Sequence, residues 1–196
     1  MTVRLTPCYT ALMSVARATT AQPTVPNGTL VTIEADLSKG LHSFTIVGLA
    51  GKAVDEAKDR VSAAIKNSGY QSPKQSNQKI VVSLAPADLK KEGPLYDLPI
   101  AIAYLTAHGD ITPRSDRTAY IGELGLDGSL RPVRGVLPAV QALQKAGIEE
   151  VVVPEANSVE AALVESITIT PAANLGTVIA HIDQNHSEPI TIKPAP

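Results

Sequence analysis

What chemistry the sequence offers is carried by four groups of residues. Gly48-Leu-Ala-Gly-Lys-Ala-Val54 stands where a strand passes into a helix, the place of a phosphate-binding loop whose backbone N–H groups face the anion. The pattern G-x-x-x-x-G-K-[ST] fails at both ends, with Ile46 in the first glycine position and Ala53 where a hydroxyl would meet Mg²⁺. A tight strand-to-helix turn is therefore expected, and no ATP hydrolysis by this chain. Tyr96 with Glu92 or Asp97 is the one polar cluster that could serve a peptidase or acyl-transfer enzyme. A phenol with a pKa of about 10 is a poor nucleophile unless a cation stands beside it. Lys90 and Lys91, and then Arg131 and Arg134, are the densest cations; together they would grip a phosphate backbone without reading its sequence, and singly they are solvated loop charges. His42, His108, His181 and His186 are scattered, with no metal-ligand spacing, and read as loop or surface histidines. The single Cys8 completes neither a zinc site nor an internal disulfide, which fits a reducing, cytoplasmic setting.

The elements that must position these groups are legible from period and punctuation. Residues 29–36 alternate as a strand, and Phe44 to Gly48 form a second one after a Gly-containing connection, so the two are expected to pair as an antiparallel hairpin. Val54, Ala57, Val61, Ala64 and Ile65 then fall at helical spacing up to Gly69. Lys79 to Pro86 reads as a strand apolar on both faces and central in its sheet. A charged loop leads to Asp97, placed as an N-cap, with Pro99 in the first turn of a buried helix. Asp127-Gly128 between Tyr120–Leu124 and Ser129–Val133 predicts a two-residue type I′ hairpin turn. Beyond it a helix runs from Val136 to Ala146, a strand from Glu150 to Pro154, a short helix from Ser158 to Val164, a strand from Ile167 to Thr170 and a helix from Leu175 to Ile182. Hairpins mixed with helices predict an α+β class, a mixed sheet with packed helices.

The 196 residues, 44% hydrophobic and 18% charged, suit one sizeable core. Residues 1–182 read as that domain and 183–196, with repeated prolines, as a linker or tail. Met1 to Ile33 lacks acidic residues, a composition shared with targeting peptides, but it has no continuous apolar stretch and runs straight into an alternating strand. No apolar run is long enough to span a membrane. A formal net charge of −2 gives no global attraction to nucleic acid, so any DNA contact would be a weak local patch.

Several long motifs in order carry a resemblance. Ser43-Phe-Thr-Ile-Val-Gly-Leu49, Asp59-Arg-Val-Ser-Ala-Ala-Ile-Lys-Asn-Ser-Gly69, Leu84-Ala-Pro-Ala-Asp-Leu-Lys-Lys-Glu-Gly93, Tyr96-Asp-Leu-Pro-Ile-Ala-Ile102 and the stretch Gly122 to Ala139 are similar to the N-terminal, ChlI-like domain of the ComM/YifB magnesium-chelatase-related family. The resemblance runs from about Tyr9 to Ile182. It implies a ribosomal protein S5 domain 2-like fold, shared with the proteolytic domain of Lon. Lon-type proteolysis uses a serine after a Gly-Pro turn and a lysine on a later helix. Here Leu95 follows Gly93-Pro94, and Gly135 to Ala139 holds no lysine; Lys145 is eight residues past Leu137, roughly 12 Å along a helix. The resemblance therefore implies a non-catalytic Lon-like domain, with no catalytic, cofactor or metal residues of its own. In the family this domain precedes an AAA+ ATPase that forms hexameric rings and is associated with DNA branch migration in transformation and recombination. The expectation is an accessory domain that joins a homo-oligomeric ring or docks on a separate AAA+ ATPase, through which alone ATP and magnesium would enter. Its candidate DNA or partner contacts are Lys90, Lys91, Arg131 and Arg134. The alternatives are a peptidase-like enzyme with unrecognised catalytic residues, or a truncated remnant of a chelatase-related ATPase.

Overall fold

A computed structural model describes residues 15–24 and 27–186. In chain order the strands are β1 (Val15–Pro23), β2 (Gly28–Lys39), β3 (Ser43–Val47), β4 (Gln78–Ala85), β5 (Thr118–Tyr120), β6 (Glu123–Leu124), β7 (Leu130–Arg131), β8 (Glu150–Pro154) and β9 (Thr168–Ala172). The helices are α1 (Lys52–Asp55), α2 (Ala57–Asn67), α3 (Asp97–His108), α4 (Val136–Lys145), α5 (Ser158–Ala161) and α6 (Leu175–Ile182). Seven strands form one mixed sheet in the order β3-β4-β2-β1-β5-β8-β9, with β6 and β7 a separate small hairpin. The class is the expected α+β one, a mixed sheet carrying helices.

Alternation along β1, β2 and β4 decides which side of the sheet is covered. Ala16, Ala18 and Thr20, then Val31, Ile33, Ala35 and Leu37, then Ile80, Val82 and Leu84 are buried, and α3 and α4 pack across β1 and β2 on that side. The intervening residues Arg17, Thr19, Thr32, Glu34, Ser83 and Thr45 share the opposite face. Helix α3 is buried on almost every side and α2 packs outside it, so it is the centre of the helical layer. Gly109, at φ 86°, ends it.

One strand is not announced by the sequence, and three local expectations are corrected. Strand β1, Val-Ala-Arg-Ala-Thr-Thr-Ala-Gln-Pro, buries small residues and shows only a faint amphipathic pattern, and it pairs with β2 along its whole length. β2 and β3 do not form a hairpin: β4 lies between them, antiparallel to β2 and parallel to β3. Parallel β3 and β4 are joined through α1 and α2, the helical crossover that parallel neighbours need. β4 accordingly buries one face rather than two. Finally, the turn of the small hairpin spans Gly125 to Gly128, with the Gly128 N–H bonded to the Gly125 carbonyl, rather than two residues. Gly128 still takes the positive φ, at 86°.

Helix α2 is separated from α1 at Glu56, and α4, β8 and α6 stand where expected, α6 with its Asn174 side chain accepting from the Thr177 N–H. Asp183, read as the start of a tail, is buried and accepts from the Thr112 N–H. The rest of the tail from Ser187, and Cys8, lie outside the described residues. Among the described residues no helix is long and apolar enough to cross a membrane.

Candidate functional site

The Gly93-Pro94-Leu95-Tyr96-Asp97 turn sits where five segments meet. The Leu95 carbonyl accepts from the Gly122 N–H at 3.2 Å and the Leu98 N–H donates to the Gly122 carbonyl at 3.1 Å, which stitches the start of α3 to the end of β5. Leu95 is only 4% exposed. The buried Tyr96 hydroxyl donates to Gln22 Oε1 of β1 at 2.5 Å, and Gln22 Nε2 donates to the Lys90 carbonyl at 3.0 Å. Asp97 is the first residue of α3 rather than its cap, because its carboxylate is drawn to Arg60 of α2 and to the Leu124 N–H. The N-terminus of α4 comes to the same end of the β1–β2 hairpin: a Cβ on Gly135 would lie 2.6 Å from Pro23, and one on Gly28 2.4 Å from the Pro138 carbonyl. The fold thus brings the Gly-Pro turn and the Gly135–Ala139 stretch to one place.

The electrostatics of that place are those of a sealed core. Burial pushes the Tyr96 phenol far above its ordinary value, away from nucleophilic use. Burial also raises Asp97 to about 6 against the pull of Arg60. Glu92 pairs instead with Lys90 on the surface. Tyr96, Glu92 and Asp97 therefore have three separate sets of partners and form no shared site.

The four candidate contact residues part in the same way. Lys90 is exposed and bonded to Glu92 at 2.6 Å. Lys91 is a correction: its side chain is wholly buried, with Nζ donating to the Pro86 carbonyl, because the loop doubles back to pair with Leu49 and Gly51. Burial lowers its pKa, with Asp88 pulling weakly the other way, and it offers no charge to a DNA surface. Arg131, on β7, faces Glu123 at 3.5 Å. Arg134 is exposed and makes no ion pair among the described residues. Among the described residues no hydrogen bond or ion pair joins the Lys90 loop to the Arg131–Arg134 segment.

Two histidines differ from the surface reading, His108 facing Asp110 and His181 facing Glu150, while the exposed loop residue His186 fits that reading and pairs with Asp183. Glu150 accepts from Thr118, Thr170 and His181 at once. Only tertiary pairing of β5, β8, β9 and α6 assembles that cluster, so no spacing in the sequence announces it.

A family profile described as subunit ChlI of Mg-chelatase matches residues 33–157. The chain belongs to this ChlI family. YifB of Escherichia coli K12 and the competence protein ComM of Haemophilus influenzae are each 41% identical to it over 162 residues, covering 82% of this chain and 31% of theirs. The Lon protease of Rhizobium meliloti is 29% identical over 180 residues, 86% of this chain and 22% of that enzyme. The chain spans about a third of the length of its YifB and ComM relatives. Among the described residues no three His, Cys, Asp or Glu side chains converge. The Gly51 N–H of the loop-like turn is spent on the Lys91 carbonyl, and α1 behind it is four residues long.

Proposed function

We propose that this ChlI-family domain is a non-catalytic, Lon-like accessory unit of a ComM/YifB-type AAA+ system. One observation carries the reading: at the turn where the Lon resemblance seats its serine stands Leu95, buried at 4% exposure, and the Gly135–Ala139 stretch beside it holds no lysine. A dyad needs a nucleophile and a base within about 3 Å of each other. What the geometry keeps from such a site is the scaffold, with Tyr96 bonded to Gln22 filling its interior. The relatives named ComM and YifB support an attachment to a larger machine, since two thirds of their length is other sequence. Its partner on this reading is an AAA+ ATPase or a ring of copies, in the cytoplasm, and its part is ring assembly or handling of DNA or a partner protein in transformation and recombination.

The test is enzymatic and physical together. Pure chain is incubated with casein and a fluorogenic peptide, and in parallel the tagged chain is used to draw partners from its native cytosol with and without ATP. Absence of turnover and recovery of an AAA+ ATPase are the expected results. Steady hydrolysis that survives a Leu95→Ala control for contamination, and is lost on Tyr96→Phe, would instead favour the peptidase alternative.

A further inference from the structure

The sheet face away from α3 and α4 carries a cavity that the accessory-domain reading does not use. A space of about 600 Å³ lies between β1, β2 and the 113–118 loop, and a smaller one of about 190 Å³ adjoins it toward α6. Tyr120 of β5 lines both. Its side chain is only 3% exposed, and its hydroxyl makes no hydrogen bond among the described residues. The hydroxyl opens into this space rather than being sealed in the core, so solvent or a bound group can take its hydrogen bond. Burial raises its pKa, with Glu150 adding to the effect, so the phenol stays protonated and is a donor.

The rest of the lining defines what that donor would meet. Thr19 and Thr32 add hydroxyls, that of Thr118 being spent on Glu150, while Glu34 and Asp116 set two carboxylates against the single guanidinium of Arg17, itself bonded to Glu34 at 2.8 Å. A lining with an excess of carboxylate repels phosphate and attracts a cation. Sugar rings and nucleobases want an exposed aromatic face to stack on, and the one aromatic ring here is buried. A polypeptide asks for what is present: hydroxyl donors for its carbonyls and carboxylate for a basic side chain. The cavity is bounded on the sheet side by Thr32 and Ala85, paired across β2 and β4.

We propose that this cavity binds an extended polypeptide segment carrying a lysine side chain, with the Tyr120 hydroxyl donating to a peptide carbonyl and Asp116 with Glu34 receiving the ammonium. The proposal stands apart from the accessory-domain reading, since it rests on the opposite face of the sheet from the Leu95 turn.

The experiment is a titration of ¹⁵N-labelled full chain with N-acetyl-Ala-Lys-Ala-amide, against N-acetyl-Ala-Glu-Ala-amide, maltose and inorganic phosphate. The lysine peptide is expected to shift the amides of Thr19, Thr32, Thr118 and Tyr120 along a saturating curve, with the glutamate peptide at least tenfold weaker. Asp116→Asn, a loop substitution with no fold to break, is expected to weaken the lysine peptide severalfold; Tyr120→Phe does the same while its spectrum stays dispersed. Equal binding of the glutamate peptide, stronger binding of phosphate or maltose, unchanged affinity in Asp116→Asn, or no shift at these amides overturns the proposal.

Discussion

Arg60 holds Asp97 with both sides of its guanidinium, Nε to Oδ2 at 2.7 Å and Nη2 to Oδ1 at 3.0 Å, and the same Nη2 donates to the Ala53 carbonyl. One pair thereby ties α1, α2 and α3 together, and the Leu124 N–H on Asp97 adds the β6–β7 hairpin. Asp97 has no exposed surface, whereas a fifth of the Arg60 side chain reaches solvent. The two partners are therefore not equivalent. Arg60→Met leaves a buried carboxylate alone and is expected to cost about 3 kcal/mol at pH 7. Asp97→Asn keeps an acceptor for Leu124 and frees a cation that can reach water, so its cost is smaller. Urea midpoints of the two variants check the order.

The same pair sets a pH dependence. The Asp97 pKa is raised from 3.8 to about 6, so its contribution to stability is full below about pH 4 and is lost as pH rises through 6. Without Arg60 the folded carboxyl moves higher still. The deficit of Arg60→Met against the unaltered chain is expected to be large at pH 8 and to shrink by pH 5, as read by urea denaturation at both.

Glu150 has the opposite sign. Burial would raise it, but the hydrogen bonds from His181, Thr170 and Thr118 outweigh burial and leave it below its ordinary value. Such a group stabilises the fold above the ordinary glutamate range, and the contribution disappears as pH falls through its lowered folded pKa. Glu150→Gln is expected to cost about 2 kcal/mol at pH 7, with the gap closing toward pH 3 in thermal melts.

Gly48 sits at φ +105°, and a Cβ there would lie 2.2 Å from the Leu84 carbonyl oxygen. The carbonyl belongs to β4, which is paired to β2 at this residue through Ile33, and it cannot swing aside without disturbing that strand. Gly48→Ala is expected to destabilise the domain by about 3 kcal/mol or more, visible as a lower urea midpoint with an unchanged slope.

Duplex DNA binding, measured by fluorescence at several low salt concentrations, separates the cations. Changing Lys90, Arg131 and Arg134 to Ala is expected to flatten the salt dependence by about 0.9 per phosphate contact removed. Lys91→Met, in the buried position, is expected to leave the slope alone and to alter only stability.

How far the sequence reveals this molecule depends on whether the deciding interactions are local. Helix α6 and strand β8 are readable because an Asn at the cap, a Gly before the strand and short apolar runs act within a few residues. Strand β1 is not, since alanines give little amphipathic contrast and its burial is decided by α3 and α4 far along the chain. Leu95 in place of a nucleophile is legible, being a matter of identity. The burial of Lys91 is not: Lys90 and Lys91 are the same residue type side by side, and only the docking of their loop on Leu49 and Gly51 turns one inward. Tyr120 and Glu150 likewise gain their roles from strands that meet only in the folded sheet.

The insertion of β4 between β2 and β3 orders events during synthesis. β1 and β2 can close on each other as soon as both have left the ribosome, but β3, with Phe44 and Ile46, has its partner strand among the described residues more than thirty residues later, at Gln78. At about 5–20 residues per second, the nascent chain carries that apolar segment without a strand to cover it for on the order of seconds. The domain is thus most in need of a chaperone early, before its middle has been translated.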